Sequence, residues 1–379
     1  MKAIKLFLVL LITQLFAMTA LAQSEQHMQL VDNAMQGLLQ KNHIPGAAVI
    51  LYVDGNLYEQ YYGYANLEKK EPVIRKTIFE IGSLSKIMTS LLLAQEVDWA
   101  KMQLADPVSK YVKGLPASFD KITLQDLATH TSGLPFNVPA NVKTMDELKE
   151  YLQHVAVKPE SQWRYSNVGI GLLGYALEAS TERNYDDLYR RHVLNPLGMV
   201  NGVTVPKSLS KYIAQGYDRA NNRVKLEEPG LFPAAYAVKA SAADMQKFLS
   251  AAIGLKDTPP RVSYPMKLTQ SMFFNKENEF QGLAWQVHAI RNSNDINALL
   301  QVTDDRLLNA VAIQKMYERP VYSGSVMADK TGTTDGFGAY IAVIPNKKSG
   351  IVILVNKHVS DKTIVKTARE ILLRLTNLS

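Results

Sequence analysis

Apolar residues recur along this chain with more than one period, and each period marks a different kind of element. From Ser24 to Lys41, Leu30, Ala34, Leu38 and Leu39 fall on one face at helical spacing. Gly46 to Val53 is a short apolar run of strand length. Asp54-Gly55 is a tight-turn dipeptide, and Leu57 to Tyr64 returns beside it. The segment after Ser83 is apolar nearly all round (Ile87, Met88, Leu91, Leu92, Leu93, Ala94), which predicts a buried helix. Helical periodicity with Pro/Gly connections follows from about 96 to 274, for example Leu148 to Val155 and Ala242 to Ile253. The end switches back: Gly338 to Ile344 and Gly350 to Asn356 read as strands across Pro345-Asn346-Lys347-Lys348. Asp361 to Leu375 is then amphipathic through Ile364, Val365, Ala368, Ile371 and Leu372.

Strands at both ends with helices between predict an α+β fold. An antiparallel sheet flanked by helices is built from both chain ends, and an all-helical lobe is inserted into it. The division expected is 1–22, a leader; 23–95, the first part of the α/β domain; 96–274, the mainly helical lobe; and 275–379, the second part of the α/β domain. A cleft between sheet and lobe is the expected place for a site.

The leader is expected to be a cleaved secretory signal. Lys2 and Lys5 precede an apolar run of 16 residues, Leu6 to Leu21, which ends in Ala20-Leu21-Ala22. That run is shorter than the roughly 20 residues of a bilayer span. Export to the periplasm is expected, with no membrane attachment after cleavage, and the mature chain is expected to be a monomer. The net charge of +7 is spread along the chain, and no basic block with interleaved aromatics suggests nucleic acid. Zero cysteines exclude disulfides, a thiol nucleophile and thiolate metal sites. The seven histidines lack metal spacing, so no metal or cofactor is expected.

Three short motifs carry the chemistry, in the order Ser83-Leu84-Ser85-Lys86, Tyr165-Ser166-Asn167 and Lys330-Thr331-Gly332. Ser-x-x-Lys occurs three times, but only Ser83 to Lys86 opens a buried helix; Ser118 to Lys121 and Ser208 to Lys211 read as surface. Ser and Lys at i and i+3 share a helix face and can meet. Burying an ammonium on an apolar helix is costly unless it is paired or working. Tyr-x-Asn occurs twice, and Tyr64-Ala65-Asn66 reads as a strand end. The phenol of Tyr165 is expected to exchange a proton with Ser83, with Lys86 and Lys330 favouring its charged form. Asn167 offers an amide that can donate to a substrate carbonyl. Lys-Thr-Gly occurs once. Lys330 can bind a carboxylate, Thr331 can hydrogen-bond it, and Gly332 removes bulk so that substrate can lie along the backbone. The N–H of Thr333 pairs with that of Ser83 as an oxyanion hole. Gly169-x-Gly171-x-x-Gly174 matches a dinucleotide fingerprint in letters, but no apolar strand precedes it, so close helix packing is expected. His130 and His358 fall near the site as structural residues.

Together these motifs resemble the penicilloyl-serine transferase superfamily, most closely its class C (AmpC-type) β-lactamases. Phe79 to Lys86, Leu124 to Thr131, Ala235 to Lys239, Gly282 to Trp285 and Lys330 through Asn356 carry the likeness over nearly the whole chain. The spacings are similar too, 82 residues from Ser83 to Tyr165 and 165 from there to Lys330. The resemblance implies a β-lactamase/DD-peptidase-like fold and hydrolysis of penicillin- or cephalosporin-type antibiotics through an acyl-serine. Ser83 is then the nucleophile, Lys86 and Tyr165 handle its proton, and Lys330 and Thr331 engage the substrate carboxylate. Asn137 and Asn167 contact the acylamido group, and Tyr236 forms an aromatic wall. Deacylation is implied to use a water activated within the tyrosine–lysine network. A DD-peptidase or a serine esterase of the same fold is the alternative. The chain departs from the class C pattern at Ser166, and at His358 and Asp361, where asparagines near the carboxylate are usual. An anionic Asp361 there puts substrate range in doubt.

Overall fold

The computed structural model describes residues 24–276, 279–301, 310–315, 321–322 and 326–378. The leader expected over 1–22 lies outside the described residues. Helix α1 (24–42) leads into strand β1 (Gly46–Val53), and β1 turns at Asp54-Gly55 into β2 (Asn56–Asn66). A short β3 (Glu71–Pro72) ends this first hairpin array. Helix α2 (Ser85–Asp98) follows, and the chain between it and the returning strands contains α3 (Asn167–Thr181), α4 (Ala242–Ala252) against the sheet and the helix Pro260–Thr269. The chain then returns through β4 (Phe274–Lys276), β5 (Glu279–Gln281), β6 (Gln286–Ala289), β7 (Gln314–Lys315), β8 (Val326–Thr333), β9 (Gly338–Ile344) and β10 (Ser349–Val355). Helix α5 (Asp361–Leu375) closes it.

The ten strands form one sheet in the order β7-β4-β5-β6-β8-β9-β10-β1-β2-β3, with antiparallel neighbours throughout. The chain ends meet where β1 pairs with β10, in register from Ala47↔Val355 to Tyr52↔Gly350. This is the α+β architecture that the terminal strand patterns predict.

Period-two alternation explains why β1 is buried along its whole length. Ala48, Ile50 and Tyr52 face the core shared with the lobe, whereas Ala47, Val49, Leu51 and Val53 face α1 and α5. A fully buried aliphatic side chain contributes about 1.5–3 kcal/mol, so a sheet covered on both faces is the main stabilising layer. The buried stripe of α1 runs through Val31, Met35 and Leu38, with Leu30, Ala34 and Leu39 at its edges. The face read from the sequence is therefore rotated slightly toward Met35.

Helix α2 is buried from Ser85 through Glu96, as its apolar sequence requires. The glycines of α3 serve packing: a methyl at Gly171 would meet the Phe232 ring at 2.0 Å, and one at Gly174 would meet the Ala234 methyl at 2.6 Å. Those glycines let the helix Pro233–Tyr236 press onto α3.

Candidate active site

Ser83 sits in a tight turn, Gly82–Leu84, immediately before α2, so it precedes the helix that its sequence suggests it opens. Gly82 adopts φ +49, a conformation that favours glycine. The turn is stitched to the segment before Lys239. Ile81 N–H donates to Val238 O at 3.2 Å, and Val238 N–H donates to Ser85 Oγ at 3.1 Å. The i, i+3 relation still holds, since Lys86 Nζ donates to Ser83 Oγ at 2.9 Å and to Ala235 O at 2.8 Å. Lys86 is wholly buried, and burial holds its ammonium down to about 8, with Lys330 pushing the same way and Tyr165 opposing.

Tyr165 packs between the two lysines, each ammonium 5.0 Å from its ring centroid. Its hydroxyl is buried without a hydrogen-bond partner among the described residues. His130 packs against the same ring at a 36° tilt, centroids 4.4 Å apart, accepts from Ser166 N–H through Nδ1 at 3.3 Å, and has no partner for Nε2 among the described residues. Burial first, then Lys86, Lys330 and Lys276, hold His130 well below its ordinary value, so it is a neutral support for Tyr165.

Lys330 lies on β8, buried, with Nζ donating to Thr331 O at 2.9 Å. Burial lowers it to about 8, while Asp361 and Asp329 favour its charge. The expectation for Gly332 needs correcting. A methyl there would stand 2.1 Å from Ile81 O and 3.0 Å from Leu84 N, so this glycine admits the Ser83 turn, not a substrate. Gly82 faces the same junction, with its missing methyl 2.8 Å from Thr333 N. The peptide units of Ser83 and Thr333 are thereby brought side by side.

Asn167 also differs from expectation. Its Nδ2 donates to Asn137 Oδ1 at 2.8 Å, which leaves its Oδ1 buried and unpartnered. The donor left to the cleft from this pair is therefore the amide of Asn137. Asp361 accepts a short hydrogen bond from Thr333 Oγ1, so its charge is engaged at the end of β8. His358 Nδ1 donates to Thr334 O at 2.9 Å, which sets its tautomer.

A cavity of about 780 Å³ opens over Ser83 and is lined by Asn137, Asn167, Tyr236, Thr333 and His358. A second recess of about 420 Å³ shares Thr333 and His358 and adds Arg219, Ser360 and Asp361. Lys86, Tyr165 and Lys330 are buried at this junction rather than lining either space. Ser83, Lys86, Tyr165, Asn167, Lys330 and Gly332 converge here. The other Ser-x-x-Lys copies, Ser118 to Lys121 and Ser208 to Lys211, are exposed in short turns. Among the described residues, no group of three His, Asp or Glu side chains is placed to hold a metal.

Two contributors were missed from sequence. Glu80 is buried and accepts from Thr334 Oγ1 at 2.9 Å and from Glu227 N–H at 2.7 Å, with Lys239 Nζ 3.8 Å away. A carboxylate in the apolar strand Ile78–Glu80, three residues before Ser83, was the available signal. Glu227 carries no local signal.

A family model for beta-lactamase matches residues 31–376. A beta-lactamase of Pseudomonas fluorescens is 31% identical over 350 residues, covering 91% of this chain and 97% of that protein. One of Escherichia coli (strain K12) is 31% identical over 358 residues, covering 93% and 94%. A solved class C beta-lactamase in complex with cefoxitin superposes with a TM-score of 0.86 at 32% identity, covering 92% of this chain and 99% of that one. A beta-lactamase/D-alanine carboxypeptidase from Pseudomonas syringae does so with 0.86 at 29% identity, covering 92% and 98%.

Proposed function

The chain belongs to the beta-lactamase family, and from that membership and its cleft we propose that it is a class C serine enzyme that hydrolyses β-lactams. The observation that carries the chemistry is the 2.9 Å contact between Lys86 Nζ and Ser83 Oγ over a buried lysine held near 8. A lysine at about 8 is partly neutral at working pH and can take the serine proton, which an unperturbed lysine cannot. Ser83 Oγ then bonds to the lactam carbonyl carbon. The developing oxyanion is met by the N–H groups of Ser83 and Thr333, held together by the two glycines. Tyr165 hands a proton to the departing ring nitrogen as the carbon–nitrogen bond breaks. Lys330 and Thr331 hold the substrate carboxylate, and Asn137 with Asn167 and Tyr236 holds the acylamido side chain. A water entering the Tyr165–Lys86 network attacks the ester, and Ser83 leaves with its proton restored.

Asp361 and His358 support this arrangement without touching the carboxylate. The first orients the Thr333 hydroxyl and favours charged Lys330; the second braces Thr334. We further propose that residues 1–22 are a signal removed during export to the periplasm, that the mature chain acts as a monomer, and that 96–274 is a lobe inserted between 23–95 and 275–379. Among the described residues no helix is long and apolar enough to cross a membrane. Mass spectrometry of the exported protein should show an N-terminus at Gln23; a retained Met1 would remove the leader reading.

The activity is tested by mixing the mature protein with a chromogenic cephalosporin and following both colour and protein mass. Rapid multiple turnover with a transient adduct on Ser83 is expected. A long-lived adduct without turnover would favour the carboxypeptidase reading, which the Pseudomonas syringae neighbour's name keeps in view.

A further inference from the structure

One wall of the cleft carries negative charge that the reaction does not use. The loop before helix Pro233–Tyr236 is tied to the end of β8 through Glu80, which binds Glu227 N–H on one oxygen and Thr334 Oγ1 on the other. Lys239 balances the charge of Glu80. Although Lys239 and Lys86 reach Glu227 through space, the carboxylates of Glu227 and Asp335 have no such partner in contact. Neither makes an ion pair or hydrogen bond among the described residues, and both line the cavity over Ser83. The two lysines at the junction are engaged already, Lys86 with Ser83 and Ala235 O, Lys330 with Thr331 O. Asn167, only 8% exposed on the same cavity, adds a third unsatisfied acceptor in its unpartnered Oδ1. A wall with two free carboxylates and a spare amide oxygen calls for a donor-rich cation.

We propose that the Glu227–Asp335 wall beside Tyr236 is a cation subsite that selects β-lactams whose acylamido side chain carries an ammonium group over those whose side chain ends in a carboxylate. This rests on the β-lactamase reading of the cleft. The same crowding lifts the Glu227 carboxyl to about 7, through loss of hydration first and then through Glu80 and Asp335, against the pull of Lys239 and Lys86. Glu227 is exposed on its loop, so water tempers the effect without reversing its direction. The other basic side chains bordering the cavity are Lys143 and His358.

The test uses three amides of the penicillin nucleus matched in chain length: δ-aminovaleryl, caproyl and adipoyl. An aliphatic ammonium keeps its charge throughout the useful pH range. In the wild type, kcat/KM is expected to fall in the order ammonium, methyl, carboxylate, with roughly five-fold between the extremes, the size of a partly exposed ion pair. The ratio should grow as pH rises through neutrality and Glu227 ionises, and shrink in high salt. Glu227→Gln with Asp335→Asn should bring the ratio near unity; both side chains are exposed, so the fold is retained. Equal rates on all three substrates in the wild type, or a ratio that survives the double substitution, would overturn the subsite alone. A preference for the carboxylate that Lys143→Gln abolishes would assign charge selection to the opposite lobe and overturn it too. Failure to hydrolyse any of the three, the uncharged caproyl amide included, would overturn the β-lactamase reading and this inference with it.

Discussion

Lys86 and Lys330 are both held near 8 by burial, each 5.0 Å from one tyrosine ring, and Lys330 adds to the lowering of Lys86. Their proposed tasks need opposite states: Lys86 neutral to accept a proton, Lys330 charged to hold a carboxylate. The pH profile of kcat/KM for a carboxylate-bearing β-lactam should therefore show one maximum near 8, and a plateau across that region would remove the pairing. Lys330→Ala is expected to abolish the alkaline fall. It should cost roughly ten- to a hundred-fold on carboxylate-bearing substrates, the worth of a hydrogen bond to a charged group. Neutral esters should lose far less; equal loss on both classes would reassign Lys330 to proton handling. Asp361→Asn separates electrostatics from geometry. Asparagine still offers an oxygen to Thr333 Oγ1, but the anion that favours charged Lys330 is gone. The alkaline limb should move to lower pH, while below it the Michaelis constant for cephalosporins should fall because a repelling charge is removed. An unmoved limb would mean that Asp361 acts only through its hydrogen bond.

At the scale of elements, the site is a junction between the turn preceding α2 and the end of β8, and two glycines make that junction possible. Gly332→Ala places a methyl 2.1 Å from a backbone oxygen that cannot rotate away, so the Ser83 turn must shift. A loss of roughly 2 kcal/mol or more is expected, in the range of overpacked sites. The drop in kcat should be much larger than thermal destabilisation alone explains, because the oxyanion donors move apart. Calorimetry alongside acylation rates checks this, and a variant with unchanged kcat would sink the junction argument. Such contacts also mark what could be read in advance. Strand β1, helix α2 and helix α5 were legible because their periodicity is local, and the Ser83–Lys86 contact because i and i+3 meet on any helix. Tyr165 and Lys330 were placed together by the chemistry their motifs offer Ser83 and by their likeness to a known family. The role of Gly332, the reversed amide of Asn167 and the Glu80 tether were not legible. Each depends on a partner 30 or more residues away, brought near by the sheet and lobe packing.

The whole molecule is closed by a buried ionic cluster behind the lysine strand. Asp329, next to Lys330 on β8, accepts from Arg369 of α5 at 2.5 Å and 3.1 Å and from Tyr340 of β9 at 2.5 Å, with His288 of β6 3.4 Å away. Arg369 also donates to Leu299 O at 2.7 Å, so one guanidinium gathers the strand that carries the site, its neighbours and the last helix. Burial alone would raise the carboxyl of Asp329, but Arg369 and His288 hold it far below its ordinary value. A carboxyl depressed in the folded state contributes stability above its unfolded value, 3.8, and that contribution fades as pH falls toward the lower folded value. Acid unfolding should accordingly steepen below about pH 4, and Asp329→Ala should remove that limb. Deleting one partner strands the other charge in the core, so Asp329→Ala or Arg369→Ala alone should cost about 3–5 kcal/mol in urea unfolding. Replacing both, as Asp329→Leu with Arg369→Met, should cost much less than the sum, because no orphan charge remains. If the double variant is as stable as the wild type yet hydrolyses poorly, the cluster positions Lys330. If it keeps full activity, the cluster only ties α5 to the sheet. Losses that simply add would mean that the two charges are not coupled at all.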